Sequence, residues 1–250
     1  MPVTNKNNAV ARRIAFLKEV LPFSELDETS LKAMLNDFNA RKWAKGEIIF
    51  HQGDPSTELY VVYKGKVRIF KNSLSGKETS IVIFSEKSII GEFAMIDGIE
   101  RSATAKAVGS CELLVISKGD LMKWMEELFP LAKGMMRLVV SKARWTAAYA
   151  EIMAQYSVDG RFLSLMLLYK ERLGREIEAA KKYELDLGLN QEELATLIGV
   201  RREWLNRRLI EWRKQDLLEH KRGKITILNL DAVKREQARQ TSSGEDKTSW

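Results

Sequence analysis

The chain has 250 residues, 41 of them lysine or arginine and 34 aspartate or glutamate, a net charge of +7 and a single cysteine. Hydrophobic residues make up 45% and charged residues 30%, the composition of a soluble globular protein long enough for one large domain or two modest ones. Cys111 alone excludes an intramolecular disulfide, a four-cysteine zinc site and a thiolate-held iron–sulfur cluster, and points to a reducing cytoplasm. No apolar run approaches the ~18 residues of a membrane span, and Met1–Asn8 is too polar for a signal peptide.

From Ala9 to Phe38 the apolar residues Ile14, Leu17, Leu21, Leu31, Met34, Leu35 and Phe38 recur at helical spacing, and Asp27 is placed to cap the second of two helices. From Arg41 to Ser117 the pattern is of strands. Short β-rich runs (Ile48–Phe50, Leu59–Tyr63, Val67–Phe70, Ser80–Phe84, Leu113–Ile116) alternate with turn residues at Gly46, Gly53, Gly65, Ser75 and Gly109. Many short strands with close turns predict an antiparallel sandwich or barrel.

Helix returns over Lys118–Leu128 and, after Pro130, continues to about Tyr156. Leu131, Met135, Leu138, Lys142, Trp145, Tyr149, Ile152 and Tyr156 alternate steps of four and three, the spacing of a dimer seam interrupted by one lysine. A long helix lying on its own domain would also use such a stripe. Ser157 to Gly160 breaks the helix and offers Asp159 as a new cap. The expected organisation is a first domain over 1–129, a dimerisation helix over 130–157, a second domain over 158–240 and a disordered tail over 241–250.

The run Asn190 to Leu209 carries the first functional motif. Asn190 with Glu193 makes a capping box, Leu194 and Ile198 supply an inner face, Ala195 permits a close helix crossing, and Gly199 suits a tight turn. The next helix buries Leu205, Leu209 and Trp212, leaving Arg202, Glu203, Asn206 and Arg207 on the opposite side. That is the order of parts in a helix-turn-helix whose second helix enters the major groove, where arginine suits guanine and glutamate accepts from cytosine. Asn190 and Arg201 stand at the starts of the two helices. A following hairpin with Lys221, Arg222 and Lys224 at its turn predicts a wing that touches phosphates. A solvated charged face on an ordinary helical hairpin is the competing reading.

The second motif is Ile90 to Ile96 followed by Glu100 to Thr104. Gly91 can turn a strand into one helical turn whose backbone N–H groups favour an anion. Arg101 can pair with a phosphate and Ser102 can donate a hydroxyl bond, while Glu92 would accept from a sugar hydroxyl. A loop salt bridge between Glu92 and Arg101 explains the same residues.

Gly46 to Asp54, Leu59 to Val67 and Gly91 to Thr104 together resemble the cyclic-nucleotide-binding β-roll. With the long helix and the winged helix-turn-helix, nearly the whole chain resembles the bacterial family of the cyclic AMP receptor protein and the fumarate–nitrate regulator. The resemblance implies an α+β protein with an antiparallel β-roll, a dimerisation helix and a C-terminal winged helix-turn-helix. It implies that Gly91 and Ser102 contact a cyclic phosphate, that Arg101 neutralises it, and that Glu92 holds the ribose 2′-hydroxyl. Thr146 falls where cyclic AMP binders of the family place a threonine against adenine. Ala147 replaces a serine that often assists from the other subunit, and this leaves the base open. Arg202, Glu203 and Arg207 match the base-reading positions, whereas Arg201 and Trp204 depart from the small hydroxyl residues usual there.

The implied partners are double-stranded DNA with a two-fold operator, a second copy of the chain and RNA polymerase, with no membrane. No cofactor is required. The lone cysteine excludes the family's iron–sulfur oxygen sensor, and His51 and His220 stand away from the pocket, so no haem is expected even with Pro2 at the N-terminus. Paired carboxylates, a catalytic triad and a nucleotide-hydrolysis loop are all missing, so no enzyme is expected. An effector-independent regulator of the same family, or a nucleotide-binding module serving an enzyme or channel, are the alternatives. Of the net +7, the segment 201–224 carries +5, a footprint suited to DNA.

Overall fold

The computed structural model describes residues 3–73, 76 and 78–241. Ser75 and the tail beyond Thr241, with Trp250, lie outside the described residues. The chain divides into two compact units, one of Met1–Lys71 and Ile81–Ala143, the other of Asn72–Ser80 and Arg144–Trp250.

The first unit opens with α1 (Val3–Leu17), a single 3-10 turn at Leu21–Phe23, and α2 (Glu28–Met34). The Asp27 carboxylate accepts from the Ser30 N–H at 2.9 Å and so caps α2. Eight strands follow: β1 (Asn39–Trp43), β2 (Ile48–Phe50), β3 (Glu58–Lys64), β4 (Val67–Asn72), β5 (Glu78–Phe84), β6 (Ile89–Ile90), β7 (Thr104–Ala107) and β8 (Cys111–Ser117). A six-residue helix, α3 (Glu92–Asp97), intervenes between β6 and β7. The strands form two four-stranded sheets, ordered β1-β8-β3-β6 and β2-β7-β4-β5, the antiparallel roll that the family resemblance implies. Three of the strands went unread in the sequence. β1 reads NARKW and is mostly exposed, so it has no apolar alternation, and β6 has only two residues.

Ser117 caps α4 (Lys118–Glu127), and α5 (Phe129–Gln155) follows directly. The core gathers Leu17, Phe23, Leu31 and Met34 with Leu59 and Val61 of β3, Leu114 and Ile116 of β8, and Leu131, Met135 and Leu138 of α5. Each such side chain contributes about 1.5–3 kcal/mol of burial.

In the second unit, α6 (Val158–Leu173) is capped by Ser157 rather than by Asp159, which sits in its first turn. The polar connection after it is a hairpin, β9 (Gly174–Glu178) and β10 (Lys182–Asp186). Next come α7 (Gln191–Thr196), α8 (Arg202–Lys214), the wing strands β11 (Leu218–Lys221) and β12 (Lys224–Ile227), and α9 (Leu230–Arg239). The four strands make one antiparallel sheet, ordered β11-β12-β10-β9. Thr241, expected in the disordered tail, bridges to Tyr156. No helix among the described residues is long and apolar enough to cross a membrane.

Candidate functional site

Two sites follow from these folds, one in each unit. In the roll, β6 ends at Gly91, whose φ of 85° is left-handed. A Cβ there would collide with Nη1 of Arg101, so glycine is required both for the turn and for the guanidinium behind it. Arg101 is buried. It donates from Nη1 to the Gly91 carbonyl at 2.7 Å and from Nη2 to the Glu58 carbonyl at 2.5 Å, and its guanidinium carbon lies 4.4 Å from the Phe50 ring centroid. Burial pulls the Arg101 pKa down, against the charges of the Glu58 and Glu92 carboxylates. Beside it the Tyr60 hydroxyl donates to Glu58 at 2.9 Å, and desolvation pushes Tyr60 up to about 12.

Glu92, only 2% exposed, does not pair with Arg101. Its Oε1 lies 2.7 Å from Nζ of Lys142 on α5, which also donates to the Ile89 carbonyl at 2.8 Å and stands 4.5 Å from the Phe84 ring centroid. The second oxygen, Oε2, is buried without a hydrogen-bond partner, as is Nε of Arg101. The loop salt bridge that the sequence left open therefore does not form. A second cation, read in the sequence only as an interruption of a seam, faces the carboxylate instead. The signal for it was that same lysine, a charge at an apolar position of the stripe. Ser102 and Thr146 are both exposed.

The residues of the expected dimer seam have partners within their own chain. Leu131, Met135 and Leu138 are buried in the core of their own unit. Trp145 stacks on Tyr149, whose hydroxyl donates to the Leu197 carbonyl at 2.8 Å, Ile152 is buried and Tyr156 bridges to Thr241, all within the second unit. A domain core offers Leu131, Met135 and Leu138 a larger apolar partner than a second helix does, whereas Trp145, Tyr149 and Tyr156 remain half-buried. The exposed stripe of α5 lies elsewhere: Met136 (56% exposed), Val140 (52%), Ala143, Ala147, Ala150 and Ala154. They too alternate steps of four and three. Alanine weighs little on a hydropathy scale, so the larger stripe masked it.

In the second unit the Asn190 side chain accepts from the Glu193 N–H at 2.9 Å while Glu193 accepts from the Asn190 N–H at 3.1 Å, the capping box read from the sequence. Gly199 turns with φ 73° between α7 and α8. Leu205, Leu209 and Trp212 are buried, while Arg201, Arg202, Glu203, Asn206 and Arg207 are exposed; Asn206 also accepts from Gln191 at 3.2 Å. Lys221 and Arg222 are exposed at the wing turn, and Lys224 lies 3.1 Å from Glu184. The basic footprint is narrower than the sequence count, since Arg213 pairs with Glu219 at 3.2 Å and Arg208 with Asp159 and Glu211.

A β-roll with a buried carboxylate and guanidinium, a long helix and a winged helix-turn-helix together define a transcription regulator with a DNA-binding domain and a domain of the cyclic-nucleotide-binding type. Residues 40–141 match the model of the cyclic nucleotide-binding domain, and residues 160–236 match that of the Crp-like helix-turn-helix domain. The chain belongs to the family of the cyclic AMP receptor protein and the fumarate–nitrate regulator. It is 29% identical over 186 residues to the cyclic AMP receptor protein of Thermus thermophilus, covering 74% of this chain and 82% of that one. It is 26% identical over 209 residues to the global nitrogen regulator of Synechococcus elongatus, covering 83% and 91%. The structure of FixK2 from Bradyrhizobium japonicum shares the fold with a TM-score of 0.70 at 16% identity, over 79% and 96% of the chains.

Proposed function

We propose that this protein is a homodimeric cytoplasmic regulator that binds a two-fold operator, contacts RNA polymerase there, and takes a small hydroxyl-bearing anion, cyclic AMP in the first instance, in its roll. The observation that carries the effector reading is the buried Glu92, whose Oε2 lacks a partner beside the buried Arg101. A ribose hydroxyl would satisfy that oxygen, and a phosphate would draw Arg101 from its carbonyls, with Gly91 and Ser102 lining the approach. The two relatives carry different signals in their names, a cyclic AMP receptor and a nitrogen regulator, so the roll is compatible with more than one effector.

Dimerisation would use the exposed stripe of α5, whose alanines permit close approach of two helices. Effector contacts then favour one register of the paired helices, and that register sets the separation of two recognition helices for half-sites about 34 Å apart. Thr146, exposed on α5 between Ala143 and Ala147 of that stripe, would report on the register.

Arg101→Ala should abolish cyclic AMP binding by calorimetry, with thermal unfolding confirming a folded roll; wild-type affinity in that variant defeats the site. Lys142 favours a second reading. It already neutralises Glu92, as the two carbonyls already occupy Nη1 and Nη2 of Arg101, which is how an effector-independent regulator would look. A thermal-shift screen with cyclic nucleotides separates the two.

In the DNA-binding unit, Arg207→Ala should weaken operator binding by about 1–3 kcal/mol and relax one base position. A uniform loss across all operator variants would instead mark Arg207 as a phosphate contact.

A further inference from the structure

Arg208 neighbours Arg207 in sequence but not in orientation. Successive helical residues point about 100° apart, so Arg207 shares the exposed face with Glu203 while Arg208 falls beside Leu205 and Trp212, on the edge that faces α6. There its Nε donates to Oδ1 of Asp159 at 2.8 Å and its Nη2 reaches Oδ2, a two-pronged contact, while Nη1 reaches Glu211. The guanidinium carbon also stands 5.3 Å from the Trp212 ring centroid, and Trp212 stacks on Phe162 at 5.3 Å with planes 17° apart. Asp159 and Phe162 on α6 thus hold Arg208 and Trp212 on α8, one pair charged and one apolar. Both aromatic rings are fully buried.

The anchoring residue stands at a special place. Asp159 lies in the first turn of α6, close after the last residue of α5, Gln155. That junction is itself tied down: Arg161 donates to the Tyr156 carbonyl at 3.0 Å, and the Ser157 N–H donates to the Gln240 carbonyl at 2.9 Å.

We infer that Asp159 and Arg208 are positioning residues for DNA recognition: the pair fixes how α8 presents Arg202, Glu203 and Arg207 from the start of α6, and Arg208 is not a DNA contact. The planar fork of an arginine on a carboxylate constrains orientation as well as distance, which a lysine would not. The inference rests on DNA binding by the second unit and is independent of any effector in the roll.

The test uses the full-length protein and a duplex selected by the wild type from a random-sequence pool, with a scrambled duplex as control. Binding is followed by fluorescence anisotropy across a salt series. Asp159→Asn removes a negative charge near DNA, so electrostatics alone would tighten binding. Positioning instead predicts about a 10-fold fall in the ratio of selected to scrambled affinity, with scrambled affinity no weaker than that of the wild type. Arg208→Lys should give the same loss of discrimination, and Arg208→Asp with Asp159→Arg should restore part of it. If Arg208→Lys keeps full discrimination and Arg208→Gln lowers the salt slope by about one, Arg208 is a phosphate contact and the inference falls. A proportional loss on both duplexes in the Asn and Lys variants, tracking a fall in folded fraction, would mark the pair as merely structural and overturn it equally.

Discussion

Glu92→Gln is expected to destabilise the roll by about 3 kcal/mol in urea unfolding, because it leaves the Lys142 ammonium in a largely buried setting without its counter-charge. The loss should stand at the low end of the 3–5 kcal/mol range for breaking a buried pair. Lys142 keeps the Ile89 carbonyl at 2.8 Å and the Phe84 ring at 4.5 Å. Lys142→Met should cost a comparable amount, since it strands a carboxylate that is 2% exposed. The double replacement should lose much less than the sum of the singles, because neither charge is then left alone. Additive losses would show that the 2.7 Å contact carries no coupling and that each group is stabilised by its other neighbours.

On the proposed pairing through the exposed stripe of α5, Val140→Glu is expected to leave only monomer in analytical ultracentrifugation and to lower operator affinity by about 100-fold or more. Two linked recognition helices gain this much from effective concentration, and each loses it when the partner leaves. Ala147→Glu should do the same one heptad further along. Leu138→Ala supplies the contrast: it empties part of the roll's own core and should cost about 2–5 kcal/mol of folding stability while the folded protein remains dimeric. If instead Leu138→Ala dissociates the dimer and Val140→Glu does not, the seam runs along the buried stripe after all.

The organisation of the site was only partly legible in the sequence. The capping box of Asn190 and Glu193, the turn at Gly199 and the buried triplet Leu205, Leu209 and Trp212 are local features, each set by residues within a few positions of one another. So are the left-handed turn at Gly91 and the cap at Asp27. By contrast, Arg101 and Glu58 are 43 positions apart, Lys142 and Ile89 are 53 apart, and Arg208 and Asp159 are 49 apart. Nothing in the local pattern ranks one such partner over another. The sequence offered Glu92 with Arg101 because they are close along the chain; the roll instead brings α5 alongside β6 and hands the carboxylate to Lys142.

What the sequence by itself determined is the class of molecule: an α+β chain with a strand-rich roll, a long helix and a winged helix-turn-helix, its excess charge concentrated over 201–224. Periodicity, caps and turn glycines act over a few residues and give the strand-rich segment, the long helix and the helix-turn-helix, while the resemblance of the glycine motifs to a known family implies the roll. Only the tertiary structure decided how the charges and stripes are spent. Two 4-3 stripes run along α5, and only the packing of the roll shows that Leu131, Met135 and Leu138 of the larger are taken up in the core while the alanine-rich one is left exposed. Nine cations stand in the segment 201–224, and only the fold shows that Arg208, Arg213 and Lys224 are held by carboxylates of their own unit. The reason is the same in each case: helical spacing says which side chains share a face, and burial against a distant segment says which face is already taken.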